Sequence, residues 1–186
     1  MAEFKISPIR EGRPVKITDE KERACYDLLD KLKIKYQRVD YNFYPTTEVG
    51  KELITETLGT LDIKNLVFND KHHRHYYLVV MLKKQRFDQK AFRNAFHLVK
   101  ITMSSADDLK KVSNSHPGAI SITELMYDQA EQVGVYFQSD VLATKYFRFH
   151  PNENHATLRI STNDLVHKLM PGLHHEIHRW EFSGCG

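Results

Sequence analysis

The chain reads Ile63-Lys64-Asn65-Leu66-Val67-Phe68 and, after a polar turn, Tyr76-Tyr77-Leu78-Val79-Val80-Met81-Leu82. Both runs are rich in β-branched and aromatic residues, which strands favour. The segment between them, Asn69-Asp70-Lys71-His72-His73-Arg74, is polar and suits the turn of a hairpin. We therefore predict two paired strands over about 61–68 and 76–82, with a lysine and an asparagine near the start of the first.

Amphipathic helical patterns and further β-rich runs surround this hairpin. Apolar residues recur at helical spacing after the N-cap signal Thr18-Asp19-Glu20, and Gly59 supplies a stop signal for the second helix. We predict helices over about 19–33, from Thr46 or Thr47 to about 58, and over about 89–96, 104–112 and 161–170. Further strands are predicted over about 36–41, 119–122, 133–138, 147–149, 156–160 and 176–182.

The order of these elements indicates the fold class. Helices and strands are mixed without a regular βαβ alternation, so we expect an α/β chain of the α+β type. Its sheet should be mixed and mostly antiparallel, with helices packed outside. A length of 186 residues suits a single domain over 1–186. Residues 1–17, which include Pro8, Gly12 and Pro14, are expected to form an irregular leader.

Composition narrows the class of protein. Hydrophobic residues make up 41% of the chain and charged residues 27%, which is a globular balance. The net charge of +3 is mild, so it is compatible with a nucleic-acid partner without arguing for one. No apolar run approaches the roughly 18 residues of a membrane span, and the N-terminus lacks a signal-peptide pattern. We expect a cytoplasmic protein.

Eleven histidines raise the question of a metal site. The segment His174-His175-Glu176-Ile177-His178 superficially resembles HExxH, but the histidine that precedes the glutamate has its next histidine three residues away instead of four. We expect this stretch to be a solvated tail that closes with a strand. Glycine-rich nucleotide loops and the GxSxG elbow are absent from the sequence. We therefore expect no metal and no cofactor.

Three short polar clusters remain as candidates for a site. They are Thr46-Thr47-Glu48, Lys64-Asn65 and Phe147-Arg148-Phe149-His150-Pro151-Asn152-Glu153-Asn154. Taken singly, each has an ordinary structural interpretation. The threonine caps a helix, the lysine extends its charge from a strand edge into water, and the histidine segment is a turn between strands.

Together and in this order, the clusters resemble the YbaK/prolyl-tRNA-synthetase-associated domain family, and within it the free-standing ProX (PrdX-like) branch. The similarity covers about residues 20–175, which is most of the chain. Besides the three clusters, it rests on Tyr26-Asp27-Leu28-Leu29-Asp30, Tyr77-Leu78-Val79-Val80-Met81, Ser104-Ser105-Ala106-Asp107-Asp108-Leu109 and Pro117-Gly118-Ala119-Ile120-Ser121.

The resemblance implies a barrel-like mixed sheet surrounded by helices and a site built from five residues. Lys64 matches the lysine required for deacylation, and Asn65 matches the polar residue beside it. Gly118 falls on a glycine loop that borders the substrate. His150 matches a histidine that lines the aminoacyl pocket, and Thr46 matches a threonine near its mouth.

One stretch departs from the family pattern. Relatives often carry a histidine just after the first strand, where this chain reads Asp40-Tyr41-Asn42-Phe43-Tyr44-Pro45. The difference bears on the size and polarity of the pocket, and so on which amino acid it accepts. The lysine is unaffected.

The resemblance implies a trans-acting aminoacyl-tRNA deacylase. It would hydrolyse the ester of mischarged tRNA(Pro), above all alanyl-tRNA(Pro), and so maintain the fidelity of translation. Expected partners are the aminoacylated 3′ acceptor end of tRNA and prolyl-tRNA synthetase, with neither membrane nor DNA involved. The alternative is a non-catalytic module of the same fold that binds an aminoacyl group or a tRNA end.

Overall fold

A computed structural model of the protein describes residues 3–43, 45, 47–115 and 120–181. In chain order its elements are β1 (Arg10–Glu11), α1 (Glu20–Lys31), β2 (Gln37–Asp40), α2 (Glu48–Leu58), β3 (Ile63–Asp70), β4 (Tyr76–Leu82), α3 (Gln89–Ala95), β5 (Ile101–Met103), α4 (Ala106–Ser113), a 3₁₀ helix (Ile122–Tyr127), β6 (Val133–Gln138), α5 (Ser139–Leu142), β7 (Tyr146–Phe149), β8 (Ala156–Ser161), α6 (Thr162–Asp164), a π-helical segment (Leu165–Leu169), α7 (Met170–Gly172) and β9 (Ile177–Trp180). None of the helices in these ranges combines the length and apolar character needed to cross a membrane.

The strands form two sheets. The first has the order β1-β2-β8-β7, and all of its pairings are antiparallel. The second has the order β5-β3-β4-β6-β9, in which β3 pairs antiparallel with β4 and β5, whereas β4, β6 and β9 run parallel. Parallel neighbours require long crossover connections, and these carry most of the helices of the second half. The expected mixed, mostly antiparallel α/β fold is confirmed.

Strand β4 is buried on both faces of the second sheet. Leu78, Val80 and Leu82 belong to the main core, and Val79 and Met81 to a second cluster under α3. A strand covered on both sides must be apolar at every position, because successive side chains point to opposite faces. The uninterrupted apolar run of β4 is therefore explained by its position in the middle of the second sheet.

Two helices fix the surroundings of the β3 start. Helix α1 buries Cys25, Tyr26 and Leu29 in the main core. Helix α2 buries Ile54 and Leu58 in a separate small cluster with residues of β2 and the N-terminal segment. Because α2 packs on the first sheet, it brings its N-terminal half beside the second sheet near the start of β3.

Most predicted elements are present, and several details differ. The two sheets do not close into a barrel, because no described strand of one sheet pairs with a strand of the other. Within the leader, β1 pairs with β2. The extended run predicted near 119–122 is replaced, after Ser121, by the 3₁₀ helix. The short elements β5 and α5 were not predicted, because each is too short to show a period.

The predicted solvated tail at His174–His178 is wrong in one respect that matters for stability. His175 is buried, with Nε2 3.1 Å from a carboxylate oxygen of Asp128 and Nδ1 2.6 Å from the carbonyl oxygen of Leu173. Both partners accept hydrogen bonds, so this geometry favours the charged ring, in which both nitrogens carry protons. Asp128 also accepts from the main-chain N–H groups of Gln132 and Val133, which fixes the start of β6.

This pair leads to a prediction about the dependence of stability on pH. Burial favours the neutral form of His175, but its hydrogen bonds to Asp128 and Leu173 outweigh burial and raise its pKa. The stabilisation is therefore complete below the unfolded-state value of about 6.5 and is lost as the pH rises through the folded value. We expect His175→Gln to lower the free energy of unfolding by about 3 kcal/mol at about pH 6, because Asp128 is left buried without its partner.

Urea denaturation of wild type and His175→Gln between about pH 6 and 9 measures this effect. The difference between the two proteins should shrink as the pH rises, while His72→Gln, at an exposed histidine, should follow the wild type. A difference that stayed constant over the whole range would contradict a charged His175.

Candidate active site at the start of strand β3

A cavity of about 340 Å³ lies at the start of β3. Its walls come from α2, β3, the residue after β4, the segment before the 3₁₀ helix, and β7 with the residue that follows it. One residue of β8 completes the lining. The lining residues are Lys51, Ile54, Asp62, Ile63, Lys64, Asn65, Lys83, Ile120, Ser121, Arg148, Phe149, His150 and Thr157. The cavity therefore lies between the two sheets.

Lys64 is the second residue of β3 and pairs with Met81 of β4. This pairing holds its main chain in the sheet, while its Nζ reaches the main-chain oxygen of Gln85 in the loop after β4 and donates a hydrogen bond to it. Partial burial lowers the pKa of Lys64 below its ordinary value. Within the described part of the chain, the ammonium group of Lys64 thus bonds a neutral carbonyl, and no carboxylate lies within 4.0 Å of it to form an ion pair.

The other cations of the cavity all have carboxylate partners. Lys51 lies 2.9 Å from Glu48, and Lys83 lies 3.2 Å from Glu48 and 3.1 Å from Asp62. Arg148 is buried and forms an ion pair with Asp62. These pairs neutralise much of the surrounding charge, so the charge of Lys64 is the one most available to a ligand.

Asn65 follows Lys64 on β3, so the two side chains leave opposite faces of the strand. Asn65 nevertheless borders the same cavity. Its Nδ2 donates a hydrogen bond of 2.9 Å to the carbonyl oxygen of Ile120, and this fixes the orientation of the amide. Its Oδ1 is buried and has no hydrogen-bond partner among the described residues. A buried acceptor without a donor costs free energy, so a donor group on a ligand would be favoured there.

His150 follows β7 directly and lines the same cavity. Its carbonyl oxygen accepts a hydrogen bond of 2.7 Å from the hydroxyl of Ser121. The structure thus brings together Lys64, Asn65 and His150, three of the five predicted site residues. Thr46 and Gly118 lie outside the described residues, so their predicted positions remain untested.

Sequence reasoning missed several residues of this cavity. Arg148 lies two positions before His150, and residues two apart on a strand point to the same face, so its place was recoverable from spacing. The ion pairs of Asp62 with Arg148 and with Lys83 had no such signal, because Arg148 is far along the chain from Asp62.

The histidines do not assemble a metal site in the described part of the chain. Across residues 3–43, 47–115 and 120–181, no three His, Cys, Asp or Glu side chains are close enough together to hold a metal ion. His73 instead bonds Asp108 at 2.9 Å, next to the N-cap of α4.

Comparison with known proteins shows the family of this chain. The family model of the aminoacyl-tRNA editing domain matches residues 45–168, which include β3, the cavity and β7. The prolyl-tRNA editing protein ProX of Acetoanaerobium sticklandii is 31% identical over 144 residues, covering 77% of this chain and 87% of that protein.

Solved structures share the fold at low sequence identity. A candidate trans-editing enzyme for prolyl-tRNA synthetase superposes with a TM-score of 0.59 at 14% identity, covering 88% of this chain and 98% of that one. The hypothetical protein APE2540 gives a TM-score of 0.63 at 10% identity, with coverages of 83% and 96%. On the family match and the ProX relative, this chain belongs to the aminoacyl-tRNA editing domain family, and the predicted assignment as an aminoacyl-tRNA deacylase, a hydrolase, is confirmed.

Proposed function

We propose that this protein hydrolyses the ester of mischarged tRNA(Pro), with alanyl-tRNA(Pro) as its main substrate. The aminoacyl group would enter the cavity beside Lys64, and the 3′ end of the tRNA would lie at its mouth. The product pair is free alanine and reusable tRNA(Pro). The place of action is the cytoplasm, in company with the prolyl-tRNA synthetase that makes the error.

The observation that carries this proposal is the unpaired charge of Lys64. Hydrolysis of an ester passes through a tetrahedral oxyanion, and a cation fixed in advance near that oxygen lowers the barrier. Lys51, Lys83 and Arg148 are held by carboxylates, whereas Lys64 is held by a carbonyl oxygen. Partial burial also lowers the pKa of Lys64, because its charge is less well solvated than that of an exposed lysine and would gain from an anionic partner.

The proposed reaction needs no covalent intermediate. Water attacks the carbonyl carbon, the new oxyanion lies against Lys64, and the bond to the ribose oxygen then breaks. The proton lost by the water balances the proton gained by the ribose hydroxyl. Asn65 Oδ1 would accept a hydrogen bond from the α-ammonium group of the amino acid, which orients the ester.

Selection by size would follow from the walls of the cavity. A hydrophobic pocket distinguishes one methylene by only about 1–3 kcal/mol, so a synthetase for proline admits the smaller alanine at times. A second site that is too small for proline then removes the error without attacking the correct product. We assign to His150 the part of the cavity wall that limits the size of the aminoacyl group.

Replacement of Lys64 by alanine tests the catalytic role. We expect Lys64→Ala to reduce kcat for alanyl-tRNA(Pro) by about 100-fold or more, because one preorganised oxyanion partner is commonly worth that much. The measurement is release of labelled alanine from alanyl-tRNA(Pro), with circular dichroism to confirm folding. Lys31→Ala, at an exposed lysine of α1, is the matched control and should retain full activity.

The same assay distinguishes this proposal from a metal-dependent hydrolase and from a binding module without catalytic activity. Alanyl-, cysteinyl-, seryl- and prolyl-tRNA should be compared with and without a chelator, and we expect chelator-insensitive hydrolysis. Activity retained by Lys64→Ala would remove Lys64 from the mechanism. Binding without hydrolysis of any of these substrates would indicate a binding module.

Replacement of His150 tests the size selection. We expect His150→Ala to raise hydrolysis of prolyl-tRNA(Pro) relative to alanyl-tRNA(Pro) by roughly 10-fold, since a wider cavity admits the larger ring. The ratio of kcat/KM for the two substrates is the readout, and His155→Ala, at an exposed histidine outside the cavity, is the control. An unchanged substrate profile would count against the assigned wall.

A further inference from the structure

A chain of buried polar side chains lies behind the His150 wall. Ser121, Thr123 and Asn152 expose 1%, 0% and 4% of their surface. The Ser121 hydroxyl donates 2.7 Å to the carbonyl oxygen of His150, which also accepts the N–H of Asn152 at 2.8 Å. Two donors therefore fix the main chain of His150.

The chain continues from Asn152 into the first turn of α1. The Thr123 hydroxyl donates 2.6 Å to Asn152 Oδ1, and Asn152 Nδ2 donates 3.1 Å to the carbonyl oxygen of Lys21. Asn152 thus connects the wall of the cavity to a helix whose buried face is part of the main core.

The directions of these bonds are determined by proton counting. The carbonyl of Lys21 only accepts, so the amide nitrogen of Asn152 faces it and the amide oxygen faces Thr123. Thr123 has one proton and gives it to that oxygen at 2.6 Å, and Ser121 gives its own to the His150 carbonyl at 2.7 Å. The two hydroxyl oxygens also lie 3.1 Å from each other, which is the longest of these three contacts. The short bonds from the two hydroxyls and the fixed direction of the Asn152 amide therefore favour one geometry of the chain.

The segment that carries Ser121 also holds the opposite side of the site. Its neighbour Ile120 accepts the amide of Asn65, and the N–H of Ser121 donates 2.8 Å to the buried carboxylate of Glu124. The position of His150 relative to Asn65 is therefore set through the short stretch Ile120-Ser121, which bonds both of them.

The backbone of Asn152 supports the same interpretation. Its φ is +62°, a left-handed conformation that costs most side chains free energy and that glycine or asparagine accepts best. Glycine would relieve the backbone but would lose both side-chain bonds. The asparagine thus combines the turn with the link between Thr123 and Lys21.

We propose that Thr123 and Asn152 are positioning residues that set the distance of the His150 wall and so decide which aminoacyl group fits. The inference rests on the proposed function, in which His150 limits the size of the substrate. Apolar residues of equal volume at Thr123 and Asn152 would avoid the cost of burying polar groups. They would not hold the main chain of His150 in one orientation, because they form no directional bonds. Discrimination of one methylene amounts to only about 10–200-fold, so a small shift of the wall removes much of it.

Thr123→Val tests the proposal, because it keeps the shape of the side chain and removes the proton given to Asn152. We expect the ratio of kcat/KM for alanyl-tRNA(Pro) over prolyl-tRNA(Pro) to fall about 10-fold, within the range that one methylene contributes. Thr123→Ser, which retains the hydroxyl, should restore the wild-type ratio. Thr144→Val is the matched control, since the Thr144 hydroxyl likewise donates to a carbonyl-type oxygen, the main-chain oxygen of Val141, but has no bond to the described residues of the His150 segment.

Binding of non-hydrolysable analogues separates this proposal from the catalytic one. The probes are 3′-alanylamino- and 3′-prolylamino-3′-deoxyadenosine, in which an amide replaces the ester. Thr123→Val should lower the preference for the alanyl analogue about as much as it lowers the kinetic ratio. This binding readout does not depend on Lys64 being catalytic.

Ser121→Ala serves if Thr123→Val fails to fold, because it removes a donor to the His150 carbonyl while the N–H of Asn152 remains bonded. It should lower the same two ratios. Unchanged ratios in a folded Thr123→Val or Ser121→Ala protein would overturn the proposal. An equal change in Thr144→Val would also overturn it, since the effect would then follow general loosening of the fold.

Discussion

The antiparallel pairing of β3 with β4 is the constraint on which the rest of the site depends. β3 pairs with β4 from Ile63 opposite Leu82 to Asn69 opposite Tyr76, and the short turn that joins the two strands fixes this register. That register puts Lys64 opposite Met81 at the end of the ladder, where the sheet gives way to the cavity. A slip of one residue would turn the lysine to the other face of the sheet.

The electrostatics of the cavity follow from how its charges are paired. Asp62 holds Arg148 and Lys83, and Glu48 holds Lys51 and Lys83, so helix α2 and strand β7 are tied to the start of β3 by ion pairs. The carboxylates of Asp62 and Glu48 are thus both engaged in ion pairs with other cations. Lys64 is left with a carbonyl, which orients its ammonium group without neutralising it. Such a charge suits an ester-hydrolysing site, because it can stabilise an oxyanion that appears only during the reaction.

Local signals in the sequence predicted much of the fold. The N-cap signal that includes Asp19, the cap Thr47, the left-handed Gly59 after α2 and the apolar β4 each lie where their chemistry suggested. Lys64, Asn65 and His150 were found through a resemblance, since each has an ordinary structural interpretation when considered alone.

What the sequence did not predict depends on long-range contacts. The parallel pairing of β6 with β9 is set by chain crossovers, and burial of His175 depends on Asp128, 47 positions earlier. The link from Thr123 through Asn152 to Lys21 joins three separate segments. No local period or propensity encodes such contacts, because they arise only when the core brings the segments together. The division of the strands into two sheets also depends on such long-range contacts.

Chemical restoration of the ammonium group tests the central claim most directly. Lys64→Cys treated with 2-bromoethylamine acquires a side chain with the length and charge of lysine, and treated wild type controls for reaction at the native cysteines. The account predicts that Lys64→Cys is inactive on alanyl-tRNA(Pro) and regains most of the wild-type kcat after treatment. An untreated Lys64→Cys protein as active as the wild type, or a treated one that stays inactive while folded, would contradict it.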